Sequence, residues 1–483
     1  MSLAFRTIQT YFITLWQFLF QNERQAIRTA LIFSTMFASF ALGIMVVDTI
    51  MMSWWPILLW LLLVIICFVF LWPHKKVELR FERSFFALTG LIFLAFFLRF
   101  VDLGGLPPAF TLDEMGTADF TIRHVAPSWS QTISPFRTGN DSQPTLYFYL
   151  LRLTMALGGF EIAATRISSV IAGTLAVAAT FFLVDTISGR RMAWFSALIM
   201  TTYHYHIHWS RIALNNIWTT LWVPLVLALF AWGWKKRWSG AAILSGLFLG
   251  LSAYFYQGGY ILIFLMIFLF FKTWRETQEK FELTIYSLKT IAMGWVTVSP
   301  ILAFALLRPE MYSDRLRVIW GWSREAMIIA IGPDKNFLEY AWHQFIHSFG
   351  AFNIYTDATG FYAPGTPLLV GLASPLFLVG VVWAVYRRHW MPLVWLLLTM
   401  ILGGFLLSAP PGSSHYVVSI PAVCWLLGIA LNGLYESRYR WWALAFLIAV
   451  IAVDSYFYFS IYRLSPSPDY HLPFPEIRPE HFQ

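Results

Sequence analysis

Apolar runs of about 15–25 residues, separated by short polar stretches, recur from residue 28 to residue 461. A helix needs about 20 such residues to cross the hydrocarbon core of a bilayer. The runs fall at 28–48, 54–73, 84–102, 163–187, 192–208, 214–233, 240–256, 258–272, 285–306, 366–386, 391–408, 416–434 and 440–461. They predict an all-α integral membrane protein with about thirteen transmembrane helices. Thr145 to Leu157 is apolar but too short to span, so it predicts a helix lying along the surface, and Lys335 to Ser348 predicts an amphipathic one. Ala4, Ile8, Phe12, Leu15 and Leu19 recur at helical spacing, which predicts an interfacial helix within residues 1–27. Arg6, Gln9, Gln17 and Gln21 interrupt that stretch, which argues against a secretory signal. Five prolines between Pro466 and Pro479 predict an irregular tail.

Composition strengthens this picture. Of 483 residues, 58% are hydrophobic and 12% charged, about half the charged share of a soluble domain. The net charge of +8 does not form the basic stripe that a nucleic-acid backbone requires, so no nucleic-acid partner is expected. The basic residues instead cluster in short loops: His74-Lys75-Lys76, Arg190-Arg191, Lys235-Lys236-Arg237, Lys272 to Lys280, Arg387-Arg388 and Arg438 to Arg440. These loops fall on one side of the predicted bundle, which the positive-inside rule makes cytoplasmic. Cys67 and Cys424 lie inside apolar runs without metal-type partners and read as inert core residues.

The organisation that follows has an interfacial helix at 1–27, a hairpin and cytoplasmic loop at 28–83, and a core at 84–306 that contains a first outer loop at 103–162. A second outer loop covers 307–364, the C-terminal helices 365–463 and an outer tail 464–483. Two long outer segments with little cytoplasmic mass point to chemistry on the outer side. The sequence holds no phosphate-cradling glycine loop or paired-cysteine metal site, so an activated substrate is expected to arrive within the membrane. The most informative feature is Asp113-Glu114, about ten residues past the 84–102 run. Charges near the hydrocarbon boundary tend to be functional, and a carboxylate in a partly dry cleft makes a general base. The alternative is that the acids cap the next helix.

Four segments around this pair resemble the GT-C glycosyltransferases of family 39, the protein O-mannosyltransferase and aminoarabinose-transferase type. They are Leu106-Pro-Pro-Ala-Phe-Thr-Leu-Asp-Glu114, Gln143-Pro-Thr-Leu-Tyr-Phe-Tyr149, Phe160-Glu-Ile-Ala-Ala-Thr-Arg-Ile-Ser-Ser169 and His206-Ile-His-Trp-Ser-Arg-Ile-Ala213. The similarity runs from about 84 to 235 and is weak beyond, apart from His415-Tyr-Val-Val-Ser-Ile-Pro421. It implies a GT-C type helical bundle with surface-lying helices in the first outer loop. It also implies transfer of a sugar from a polyprenyl-phosphate donor to an acceptor hydroxyl outside the cytoplasm, with inversion. In that scheme Asp113 is the base and Glu114 orients or substitutes for it. Arg166, Arg211 and His415 contact the donor phosphate, and Asp141, Gln143 and Tyr147 contact substrate. The acceptor is open between a protein, a lipid and a cell-wall glycan, and a bacterial plasma membrane is the expected site.

The sequence departs from the family pattern in three places: Gln143 stands where His or Lys is usual, Ile212 where an acid commonly follows the Ser-Arg pair, and His204 where proline is usual. His204 and His208 share a helical face, but no third ligand is local, so no metal cofactor is expected. Arg315, Arg317, Arg324 and Lys335 form a basic cluster in the second outer loop, suited to a solvated face or to anionic groups. Rival readings are a transporter or flippase of lipid-linked or small solutes, a polymerase or ligase using lipid-linked oligosaccharide, and a non-catalytic scaffold. Neither internal repeats nor mid-membrane helix breaks favour the transporter.

Overall fold

A computed structural model describes residues 9, 13–51, 53–73, 83–108, 110–125, 132–362 and 365–464. Most of the expected interfacial helix, the 74–76 basic cluster and the proline-rich tail lie outside these residues. Among the described residues there is no β-strand, only isolated bridges such as Thr138 with Pro144 and Trp320 with Leu407.

Among the described residues, eight helical segments are long and apolar enough to cross a membrane: Glu23–Val46, Trp54–Leu71, Ile162–Ser188, Asn215–Lys236, Gln257–Glu276, Lys280–Leu307, Ser413–Glu436 and Arg440–Tyr462. Shorter helices occupy the other expected positions: Arg83–Phe100, Arg190–Thr202, Ser239–Ser252, Ala373–Tyr386 and Trp390–Met400. The run at 192–208 is not one straight helix. It breaks at Tyr203, whose ψ of 112° leaves the helical region, and resumes as His204–Trp209. The run at 391–408 widens into a π-helical turn at Ile401–Phe405 beside the cavity described below, a location typical of π-bulges. The two short helices expected outside the spans are present, as Leu146–Gly158 and Phe337–Phe349.

Burial sorts the bundle into an inner and an outer layer. The hydrophobic window of Ser413–Glu436 is 89% buried, and those of Ile162–Ser188 and Asn215–Lys236 are 72% buried. Trp54–Leu71, in contrast, is apolar on all faces yet only 22% buried. A helix that apolar and that open is stable only against lipid, so the protein is a multi-pass membrane protein. The inner helices approach closely through small residues. At Gly246 and Gly250, a Cβ would lie 2.3 Å from the Thr290 carbonyl and 2.5 Å from Thr297 Cβ. Such contacts replace the hydrophobic drive that is missing between helices in lipid.

Candidate active site

The acidic pair opens the helix Leu112–His124. Thr111 is its N-cap: its Oγ1 accepts from Glu114 N at 3.2 Å, and the Glu114 carboxylate accepts from Thr111 N at 3.2 Å, which closes a capping box. The T-x-x-E spacing produces this turn locally. Successive helical residues diverge, so the box that turns Glu114 inward leaves Asp113 on another side.

Glu114 is fully buried and paired with Arg166, which is equally buried, at 2.9 Å from Nε and 3.1 Å from Nη2. It also accepts from Ala213 N at 2.9 Å. Arg166 donates further to the carbonyls of Leu103 and Pro107, both at 3.1 Å. Arg211, also buried, donates to the carbonyls of Leu98, Val101, Asp102 and Leu106 at 2.6–3.0 Å, closing the end of Arg83–Phe100. Arg99 bonds Ser210, Met200 and Thr201 and contacts His206 Nδ1 at 2.8 Å. Arg166 and Arg211, expected at a donor phosphate, therefore lie inside the protein, binding the first outer loop to the bundle. Tyr147 is likewise buried on Leu146–Gly158 and does not line the cavity. The physical reason is dehydration: a guanidinium without water must fill its donors from the protein.

Asp113 faces a cavity of about 300 Å³. The first loop supplies Asp141, Ser142 and Gln143, the second loop Arg315 and Leu316, and the C-terminal part His415 and Leu402. Arg315 stands 3.9 Å from Asp141, and both remain partly open, at 37% and 46% exposure. Asp141 and Ser142 adopt left-handed φ values of 49° and 56°, a conformation non-glycine residues hold mainly where surrounding structure enforces it. The enforcement is visible: Gly139 N donates to Gln143 O at 2.8 Å, and Gln257 Nε2 bridges Ser142 O at 3.1 Å and Tyr312 O at 2.7 Å. His415 sits on the turn Ser413–Tyr416, which Asp357 fixes by accepting from Ser413 N and Oγ at 2.7 and 2.9 Å.

Burial lifts the Asp113 carboxyl above the usual carboxylate range; Arg315 pulls it back, and Asp141 and Glu114 push it up further. Among the described residues no hydrogen bond occupies that carboxylate. One wall is apolar and leads outward, with Phe264 and Leu316 about half exposed at 51% and 48%. The arrangement offers a carboxyl of raised proton affinity, a cation lining the same cavity and an apolar opening at Phe264 and Leu316.

The structure thus gathers Asp113, Asp141, Gln143 and His415 around one space, and keeps Glu114, Tyr147, Arg166 and Arg211 out of it. Sequence reasoning placed Arg315 in a basic cluster without connecting it to Asp113, and passed over Tyr256 and Gln257. The signal for the last two was the polar break Tyr256-Gln-Gly-Gly-Tyr260 between apolar runs. His204 and His208 turn to different partners: His204 lies 3.4 Å from Asp454 and bonds Tyr362, while His208 Nε2 contacts Phe361 O at 2.8 Å. Among the described residues no three His, Cys, Asp or Glu side chains are grouped as metal ligands.

Residues 142–304 match the family model described as dolichyl-phosphate-mannose-protein mannosyltransferase. That stretch holds Gln143, Arg166 and Arg211 but neither Asp113 nor Arg315. No curated protein sequence matches the chain. ArnT from Cupriavidus metallidurans bound to undecaprenyl phosphate superposes with a TM-score of 0.51 and 14% identity, over 78% of this chain and 76% of that one. The Archaeoglobus fulgidus oligosaccharyltransferase in its apo form gives 0.47 and 14%, over 79% of this chain and 55% of that one, so this chain spans about half the length of that relative. The fold is GT-C, and the resemblance first carried by the four sequence segments holds.

Proposed function

We propose that this GT-C membrane protein is a glycosyltransferase that moves a sugar from a polyprenyl-phosphate carrier to an acceptor hydroxyl in one inverting displacement. The observation that carries the reading is the juxtaposition, in one cavity open to lipid, of Asp113 with raised proton affinity and the cation Arg315. Asp113 accepts the acceptor proton as the hydroxyl oxygen bonds to the anomeric carbon. The bond from that carbon to the phosphate oxygen breaks, and its electron pair leaves on the lipid phosphate. Arg315 balances the charge that develops there, with His415 lining the same space. Attack opposite the leaving group inverts the anomeric centre.

Asp141 and Gln143, held in their strained turn, contact the sugar or acceptor. Arg166 and Arg211 act as positioning residues that fix the loop carrying Asp113. A carrier in the membrane is consistent with the apolar wall ending at Phe264 and Leu316. The cavity lies at the helix ends away from the basic clusters Lys235-Lys236-Arg237 and Arg387-Arg388, which supports an extracytoplasmic site in a cell membrane. The test is glycosyl transfer by the purified protein across a panel of short-chain polyprenyl-phosphate sugars. Release of polyprenyl phosphate that depends on Asp113 supports the reading. Transport of the same lipids across proteoliposomes without release of polyprenyl phosphate would move a flippase ahead.

A further inference from the structure

A second cavity, of about 350 Å³, is built between the N-terminal hairpin and the first half of Lys280–Leu307. The hairpin lies outside the stretch that matches the mannosyltransferase family model, while the facing wall, Ile285 to Ala292, lies inside it. Its first helix, Glu23–Val46, runs parallel to Lys280–Leu307. Ser39 Oγ donates to Val296 O at 2.7 Å, Trp295 Nε1 donates to Met36 O at 3.3 Å, and Arg308 pairs with Asp48 at 2.6 Å. Near the far end the backbones touch, since a Cβ at Gly43 would stand 2.7 Å from Ala303 Cβ. Toward the beginning of both helices the cavity lies between them.

The wall there is mostly apolar, including Ile32, Phe33, Leu288 and Ile291. Phe33 and Ile291 are 57% and 56% exposed, so the space is open to the hydrocarbon around the bundle. Its lining contains two charged side chains, Arg28 and Lys289, and both are cations. Arg28 Nη2 donates to Phe70 O at 2.5 Å, and Lys289 Nζ donates to Ser239 Oγ at 3.1 Å. Both acceptors are neutral, and among the described residues neither cation is in an ion pair. Glu282 acts on Lys289 from beyond ion-pair distance, and Arg28 opposes it; two half-buried like charges against an apolar wall still favour an anion between them. The helix beginnings that frame the cavity lie at the end bearing the basic loops, where anionic lipid headgroups concentrate.

We propose that this cavity binds one anionic phospholipid, its phosphate between Arg28 and Lys289 and an acyl chain along Ile32, Phe33 and Leu288, clasping the hairpin to the core. The site is independent of the transfer reaction and lies at the other end of the bundle. The test is native mass spectrometry of the full chain exposed to equimolar dioleoylphosphatidylglycerol and dioleoylphosphatidylcholine. The expected result is one retained phosphatidylglycerol per chain, preferred by about tenfold from the pull of two cations on one phosphate. Arg28→Gln with Lys289→Gln brings the ratio near unity, and Lys289→Gln alone lowers it part way if the double variant folds poorly. Arg24→Gln with Lys236→Gln removes the same charge outside the cavity and leaves the preference intact. Phosphatidylglycerol also raises the melting temperature of the native chain but not of the Arg28, Lys289 variant. Equal retention of the two lipids, equal loss in the control variant, or preferred retention of a polyprenyl phosphate supplied at the same concentration overturns the proposal.

Discussion

Asp113 and Glu114 are sequence neighbours of like charge, each facing an arginine, yet their surroundings differ. Glu114 meets Arg166 with both side chains fully buried, and their donors and acceptors are filled by each other and by backbone. Asp113 faces Arg315 across a cavity, with partial access and no hydrogen bond on its carboxylate among the described residues. A closed pair stabilises one geometry and has nothing left for a substrate. An open acid is less well satisfied, and that leaves it able to take a proton from something that enters. The difference teaches that two adjacent acids can part ways: Glu114 is spent on holding the loop, and Asp113 is left facing the cavity.

The sharpest way to break the comparison is to neutralise each acid in turn. Asp113→Asn is expected to lower turnover by about 10²–10⁴-fold, the range for a lost general base, with the melting temperature unchanged. Glu114→Gln is expected to act on folding, because it leaves Arg166 buried without a counter-charge; the loss is about 3–5 kcal/mol, read as folded yield and denaturation midpoint. A Glu114→Gln protein of native stability and no turnover would reverse the two roles.

Smaller effects sharpen it. Arg315→Gln is expected to slow transfer about a hundredfold if the guanidinium balances the leaving phosphate. It also removes the charge that lowers the Asp113 proton affinity. A base works only when deprotonated, so the acid limb of the pH–rate profile moves to higher pH. Asp141→Asn works the other way: its charge raises the Asp113 pKa, and its loss moves that limb to lower pH with a several-fold change in rate at most. Both profiles are measured as kcat/KM against pH on the same donor. An unmoved limb in both variants would separate Asp113 from the titration.

Much of the fold was legible because lipid imposes a length and a composition on each span, and both are local properties of the chain. The two short helices outside the spans were legible for the same reason. The break at Tyr203 was not, since His204 and His208 read as sharing one face of a continuous helix until Asp454 and Phe361 arrive from distant segments to engage them separately. Asp113 stood out as an acid near the hydrocarbon boundary, and the capping alternative proved correct for its neighbour Glu114.

By itself the sequence determined a multi-pass helical membrane protein and a resemblance to GT-C enzymes, because hydrophobic length and short motifs are written residue by residue. Only the tertiary structure decided which arginine faces Asp113. Arg166 carries the family motif but is consumed by Glu114, while Arg315, some two hundred residues away in the second loop, reaches the cavity once Gln257 ties Ser142 to Tyr312. Whether a buried charge is spent on the protein or left for a ligand depends on what surrounds it after dehydration, and that is set by packing between segments far apart in the chain.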